Sequence, residues 1–239
     1  MTTLLYQTDS YLKEFDAQVT AVDENNRTVI LDRGSFYPGG GGQLYDTGFL
    51  SFDTSRWEVT RVRKGLAGVE HTLGSSDPLP DEGVTLHGLI NWERRYQLMR
   101  THTAMHILCG VVFRDYGAQV TGGDMESLKG RMDFEFESLS HDLVLVIEQA
   151  VNREVEQGRP IKVQILPRQQ AFMIPDLIRT KINLLPPDIP EVRVVELVGL
   201  DLQADGGTHV HNTSEVGRIK IVDYKSKGKI NKRIYLELE

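Results

Sequence analysis

The stretch from Trp92 to Tyr116 sets the architecture of this chain. It contains no proline and a single glycine, Gly110, and Leu98, Met105, Leu108, Val112 and Phe113 recur along it at helical spacing. The residues before it read differently. Ala17–Val22 alternates, Asn25-Asn26-Arg27 forms a turn signal, and Thr28–Asp32 resumes as a strand. Gly48–Leu50, Trp57–Arg63 and Val84–Ile90 follow, with Gly74-Ser75-Ser76-Asp77-Pro78 as the clearest break. Short strands at this spacing predict a small closed barrel. The expected division is an N-terminal β-barrel domain over 1–91 and a second domain over 92–239.

Beyond the helix, Gly117 and the Gly122-Gly123 pair interrupt the pattern. Leu128–Phe136 alternates as a strand, and Asp142–Gln157 reads as a second amphipathic helix stopped by Gly158-Arg159-Pro160. Ile161–Leu166, Gly217–Asp223 and Asn231–Leu238 are further strands, the last two joined by a lysine-rich turn. The second domain is therefore expected to be α+β, with two main helices on a largely antiparallel sheet.

Composition narrows the function. With 239 residues, 40% hydrophobic and 26% charged, the chain reads as an ordinary globular protein. No apolar run approaches the roughly 20 residues that span a bilayer. Met1–Asp9 lacks a basic start followed by an apolar stretch, so no secretory signal and no membrane partner are expected. A single cysteine, Cys109, leaves no internal disulfide framework and fits a cytoplasmic protein. The net charge of -7 argues against indiscriminate nucleic-acid binding, yet leaves room for a local basic patch.

Two short windows carry metal-binding chemistry. On a helix, His102 and His106 share one face, at a separation that lets both imidazoles reach one ion. The bland alternative is two ordinary histidines, one half-buried and one solvated. The second window is Asp201–Thr213, in which Asp205 precedes His209 across the Gly206-Gly207 pair. Two glycines make a regular helix unfavourable there, so a tight loop must bring the carboxylate and the imidazole together. The bland alternative is a surface turn. If the two windows converge, His102, His106, Asp205 and His209 offer nitrogen and oxygen donors that suit one zinc ion, with other divalent first-row metals admissible. His211 is a reserve candidate, since in a strand it would share the face of His209.

A third feature is the run Ser35–Gly48, with Gly39-Gly40-Gly41-Gly42 ahead of Gln43. Consecutive glycines carry a high conformational entropy cost. Their amides could cradle an anion or a carboxyl ester. Neither Walker nor dinucleotide-binding spacing is present. The bland alternative is a flexible hairpin loop between barrel strands.

Taken together, these segments resemble the alanyl-tRNA editing proteins, meaning the editing domain of alanyl-tRNA synthetase and its free-standing AlaX relatives. The resemblance rests on Phe36-Tyr37-Pro38 with Gly40–Gln43 and Asp46-Thr47-Gly48, on Arg100–His106, on Gly206–Val210 with Asn212-Thr213 and Glu215-Val216-Gly217, and on Lys225–Lys229. Their order covers nearly the whole chain and is similar to the medium-sized form. The resemblance implies a barrel followed by a two-layer domain of the threonyl/alanyl-tRNA synthetase second-domain type. It further implies trans-acting hydrolysis of mischarged tRNA(Ala), chiefly Ser-tRNA(Ala) and also Gly-tRNA(Ala). In the family the metal is held by two helix histidines, a cysteine and a final histidine. The carry-over gives His102, His106 and His209, with Asp205 standing at the cysteine position, a harder ligand than thiolate. Gln43, Thr121 and Thr208 become candidates for the catalytic pocket, with Gly40, Gly41 and Gly42 binding substrate beside Gln43 and Thr121. Candidate tRNA contacts are Lys225, Lys227, Lys229, Lys232 and Arg233, and a helix group of Arg94, Arg95 and Arg100. Two competing readings stand beside this one. One is a tRNA-binding module without deacylase activity. The other is a metallohydrolase of a small ester or amide.

Overall fold

The computed structural model describes residues 2–74, 76–181, 183 and 185–239. Ser75, within the Gly74–Pro78 break, lies outside them. The chain splits into two compact units, Met1–Tyr96 and Gln97–Glu239.

Among the described residues, the first unit is built from β1 (Thr3–Leu4), β2 (Glu14–Asp23), β3 (Thr28–Leu31), β4 (Arg33–Gly34), β5 (Gly48–Phe52), β6 (Ser55–Lys64), β7 (Val69–Leu73) and β8 (Thr85–Ile90). Six of them close a barrel in the order β2-β3-β7-β6-β5-β8, while β1 and β4 form a short parallel pair. Closure follows from alternation: Phe15, Ala17 and Val19 of β2 are buried while their neighbours face out. They meet Leu31, Leu50, Trp57, Val59, Leu73, Leu86 and Ile90 in one core. Strand β7 also supplies a buried imidazole.

It belongs to His71, which is 0% exposed. Its Nδ1 lies 3.3 Å from the Val29 carbonyl oxygen, and Nε2 has no hydrogen-bond partner among the described residues. Burial pushes its pKa from 6.5 down to about 4. Below the unfolded value the denatured chain takes up a proton that the barrel does not. The stability contributed by neutral His71 is therefore whole above pH 6.5 and is lost as pH falls from 6.5 to about 4. At about 1.4 kcal/mol per pKa unit the loss approaches roughly 3 kcal/mol. Urea unfolding at about pH 7 and pH 4.5 should show this drop in the wild type, and a smaller one in His71→Asn. Equal drops in both proteins would contradict the assignment.

Helix α1 (Trp92–Tyr116) follows, as the absence of proline permits and the helical spacing of its apolar residues favours. Every residue from Thr101 to Val112 is buried, so this is a helix embedded on all sides rather than an amphipathic one. The second unit continues with β9 (Val120–Glu126), β10 (Lys129–Glu135), α2 (His141–Glu156), β11 (Ile161–Pro167), α3 (Arg168–Ala171), β12 (Glu191–Leu197), β13 (Asp201–Ala204), β14 (Ile219–Ser226) and β15 (Asn231–Leu238). Ser140 caps α2 by accepting the Leu143 amide at 3.2 Å, and Gly158 ends it at φ 61. The strands are antiparallel but form two sheets instead of one, β14-β15-β10-β9 and β11-β12-β13.

The glycine pair that interrupts the pattern after α1 is part of a strand: Gly122 and Gly123 lie inside β9. Gly123 and Gly130 make a close approach of helix and sheet: a Cβ at Gly123 would sit 3.2 Å from Met105 Cε, and one at Gly130 would sit 3.1 Å from Met105 Sδ. Small residues on the sheet thus admit the helix that carries the histidines.

Candidate metal centre

One turn of α1 separates His102 from His106, and their ring centroids are 5.0 Å apart. The other half of the cluster comes from the loop after β13. There the Asp205 amide donates to the Arg193 carbonyl oxygen at 3.1 Å, tying the loop to β12. The Gly207 amide donates to Asp205 Oδ2 at 2.8 Å and folds the chain back on itself. This turn delivers His209, whose ring stacks on His102 at 4.3 Å and meets His106 edge-on at 4.7 Å. Asp205 Oδ2 lies 3.0 Å from His209 Nε2, and Oδ1 lies 3.5 Å from His102 Nε2. Ligand atoms of His102, His106, Asp205 and His209 all fall within 4.8 Å of one another. Both bland alternatives fail here: neither helix histidine is solvated, and Asp205 is partly buried.

Burial shapes the electrostatics. It pushes His102 well below its ordinary value and His209 to about 4. Burial opposes charge on Asp205 too, but His102 and the other imidazoles hold it well below the usual carboxylate range. Burial also acts downward on His106, yet the hydrogen bond and charge of Asp201 leave it raised. Imidazole nitrogens and an ionised carboxylate, converging away from solvent, fit the donor chemistry of a first-row divalent ion. Arg193 lies 3.6 Å from Asp205 Oδ2 and donates to the Asp205 carbonyl oxygen at 3.0 Å.

Three residues around this cluster have no signature in the sequence. Asp201 Oδ2 accepts from His106 Nδ1 at 3.0 Å, and Thr103 Oγ1 lies 3.1 Å from His209 Nδ1. Arg193 is the third. Thr103 sits between the helix histidines, and Asp201 opens the second window, but only the folded chain shows what they touch.

The remaining candidates fall in several places. His211 is exposed in a loop, its amide donating to Glu215 Oε1 at 3.0 Å, while His209 and Val210 are both buried. The strand alternation that made it a reserve ligand is absent. Thr208 is fully buried beside His209. Thr121 is exposed on β9, and its hydroxyl donates to Asn231 Oδ1 at 3.0 Å.

In the first unit, Gly40 and Gln43 exchange backbone hydrogen bonds at 3.1 and 3.0 Å around Gly41 and Gly42. Positive φ at both central residues, 58 and 87, makes this a tight primed turn and not a flexible loop. Gln43 is 3% exposed. A Cβ at Gly41 would meet nothing within 4 Å, so the turn presents bare backbone to open space.

The basic candidates divide. Lys225 pairs with Asp223 at 2.9 Å on the surface, and Lys227 and Lys229 are exposed. Lys232 is 7% exposed and donates to the carbonyl oxygens of Gly228 and Lys229, closing its own hairpin. Arg233 grips Asp133 with two bonds of 2.6 and 2.7 Å. In the helix group, Arg95 is fully buried, Arg94 donates to the Tyr45 carbonyl oxygen at 3.1 Å, and Arg100 donates to the carbonyl oxygens of Val216 and Glu239. Lys232, Arg233, Arg95 and Arg100 are thus engaged within the fold.

Residues 192–235, which contain Asp201, Asp205 and His209, match the threonyl and alanyl tRNA synthetase second additional domain. Residues 6–94 match the class II (A) tRNA synthetases. The chain is similar to the alanyl-tRNA editing protein AlaX-M of Saccharolobus solfataricus, with 40% identity over 98% of each chain. It is similar to AlaX-M of Methanosarcina acetivorans, with 36% identity over 100% of this chain and 99% of the relative. Alanine–tRNA ligase of Thermococcus kodakarensis is 37% identical over 92% of this chain, which corresponds to 24% of the ligase.

Proposed function

Because this chain belongs to the alanyl-tRNA editing protein family, we propose that it hydrolyses the ester of mischarged tRNA(Ala), acting in trans on Ser-tRNA(Ala) chiefly and on Gly-tRNA(Ala) as well. The observation that carries this reading is the buried convergence of His102, His106, Asp205 and His209 on one point. These four residues would hold one zinc ion, or another divalent first-row metal. Bound there, the ion supplies Lewis acidity beside an ester that is already activated.

The chain's own residues do the rest. Burial of the imidazoles keeps bulk water from the cluster and strengthens every polar contact within it. Thr208, fully buried next to His209, is our candidate for orienting a polar group of the substrate near the cluster. Preference for serine requires a partner for its hydroxyl, because a site built to hydrogen-bond a hydroxyl disfavours analogues without one, which makes glycine the slower substrate. Thr121 is our candidate in the second unit. In the first, Gly40, Gly41 and Gly42 are our candidates for binding substrate through accessible backbone, with the buried Gln43 beside them. Lys225, Lys227 and Lys229 are the surface cations for tRNA phosphate. Among the described residues no helix is long and apolar enough to cross a membrane, and we assign the activity to the cytoplasm.

The test is deacylation by metal-loaded protein of Ser-tRNA(Ala), Gly-tRNA(Ala) and Ala-tRNA(Ala). The expected order is serine fastest, glycine hydrolysed, and alanine spared. Binding of tRNA without hydrolysis of either mischarged form would replace this reading with that of a binding module. Equal hydrolysis of all three would remove the proofreading role.

A further inference from the structure

The carboxylate behind His106 is outside the ligand cluster. Asp201 opens β13, and its side chain is 0% exposed. Its Oδ2 accepts from His106 Nδ1 at 3.0 Å and from the Gln203 amide at 2.6 Å, while Oδ1 lies 3.4 Å from Arg179 Nε. The same Gln203 amide reaches Cys109 Sγ at 3.3 Å.

A second observation concerns the helix. Gly110 lies one turn beyond His106, in the buried middle of α1. A Cβ at this position would stand 3.0 Å from Asp201 Cβ and 2.9 Å from Leu200 Cγ. Glycine inside a helix costs about 1 kcal/mol relative to alanine. Here its bare backbone is what lets the start of β13 reach the histidine face of the helix.

We propose that Asp201 is a positioning residue of the metal centre, holding the His106 ring by Nδ1 so that Nε2 is the nitrogen turned to the ion. This rests on the metal reading above. A carboxylate accepts only from a protonated Nδ1, so the bond fixes both the orientation and the tautomer of the ring. It also makes the imidazole a stronger donor. That matters more here than with a thiolate at position 205, because a carboxylate ligand gives the ion less charge. Thr103 stands in the matching place behind His209. Asp201 itself touches neither the ion nor substrate in this arrangement.

The decisive comparison is wild type against Asp201→Asn, which preserves shape and removes the charge. Cobalt(II) affinity, measured by competition with a chelator, should fall about 10- to 100-fold. In metal-free protein, at a pH alkaline enough to keep the ring neutral in both proteins, the nitrogen shifts of 15N-labelled His106 should report an Nδ1-protonated ring in the wild type and a mixture of tautomers in the variant. His106→Gln identifies the signal. Should Asp201→Asn fail to fold, Gly110→Ala, which retains the carboxylate but pushes it off the ring, should move both readouts in the same direction. Unchanged cobalt affinity with unchanged ring shifts overturns the inference, whatever happens to thermal stability. A wild type that takes up no cobalt would instead overturn the metal reading, and the ring shifts of metal-free protein would still decide whether Asp201 sets the tautomer.

Discussion

Replacing His209 with alanine is expected to strip the protein of metal and to slow deacylation of Ser-tRNA(Ala) by at least about 100-fold, the upper end of what loss of a mere supporting partner costs. His209 is the sharpest choice because it touches every other member of the cluster: it stacks on His102, meets His106 edge-on, and lies 3.0 Å from Asp205 Oδ2. Its loss also leaves Asp205 charged beside a void, with Arg193 as its nearest cation. Metal content by elemental analysis and single-turnover deacylation check the prediction, with far-UV circular dichroism confirming that the fold persists. A variant with a full complement of metal would remove His209 from the ligand set.

The second large effect lies in the first unit, at the base of the glycine turn. Arg95 and Asp46 are both 0% exposed. Arg95 Nε donates to both Asp46 oxygens at 3.0 Å, Nη1 donates to the Ser10 carbonyl oxygen at 2.9 Å, and Nη2 donates to Ser35. Asp46 in turn accepts the Tyr37 amide at 2.6 Å, and its own amide donates back to the Tyr37 carbonyl oxygen at 3.0 Å. These bonds clamp the two ends of the segment that carries Gly39–Gly42. Arg95→Met should destabilise the unit by about 3–5 kcal/mol, because it abandons a buried carboxylate. Arg95→Met combined with Asp46→Leu should cost less than Arg95→Met alone, since no unpaired charge is then left inside. The chain has two tryptophans, Trp57 and Trp92, both within this unit, so urea unfolding followed by fluorescence reports on it directly. A double variant worse than the single would show that the arginine acts through packing and not through charge.

The sequence announces elements whose pattern is set locally and hides those set by distant neighbours. The span of α1 is legible because proline and glycine are missing where a helix needs them missing, and β2, β6 and β8 are legible because one barrel face alternates. Gly123 is ambiguous in the sequence because glycine signals both a turn and a close approach, and only Met105 on another element decides between them. Strands β12 and β13 go unread for a related reason. Glu191–Leu197 is buried along four successive residues and so lacks alternation, and Asp201–Ala204 is too short to show any.

The metal cluster divides in the same way. The helix pair and the Asp205-Gly-Gly-x-His209 spacing state their geometry in one dimension. Asp201, Thr103 and Arg193 act across the fold, and nothing in their own neighbourhoods shows it. Lys232 and Arg233 look like surface cations by composition and are claimed by Gly228, Lys229 and Asp133 once the hairpin forms.

Closure of the barrel has a consequence for how the chain is made. Strand β2 lies between β3, which follows it at once, and β8, whose Leu89 pairs with Glu14. During synthesis the first long strand can find one neighbour early, but its other edge stays open until Thr85–Ile90 has left the ribosome. A ring of strands has no stable partial form that buries its interior, and closing long sequence separations is slow. The first unit is therefore expected to close only once its last strand is available. Until then the exposed edge of β2 is the part of the nascent chain most in need of protection from stray pairing.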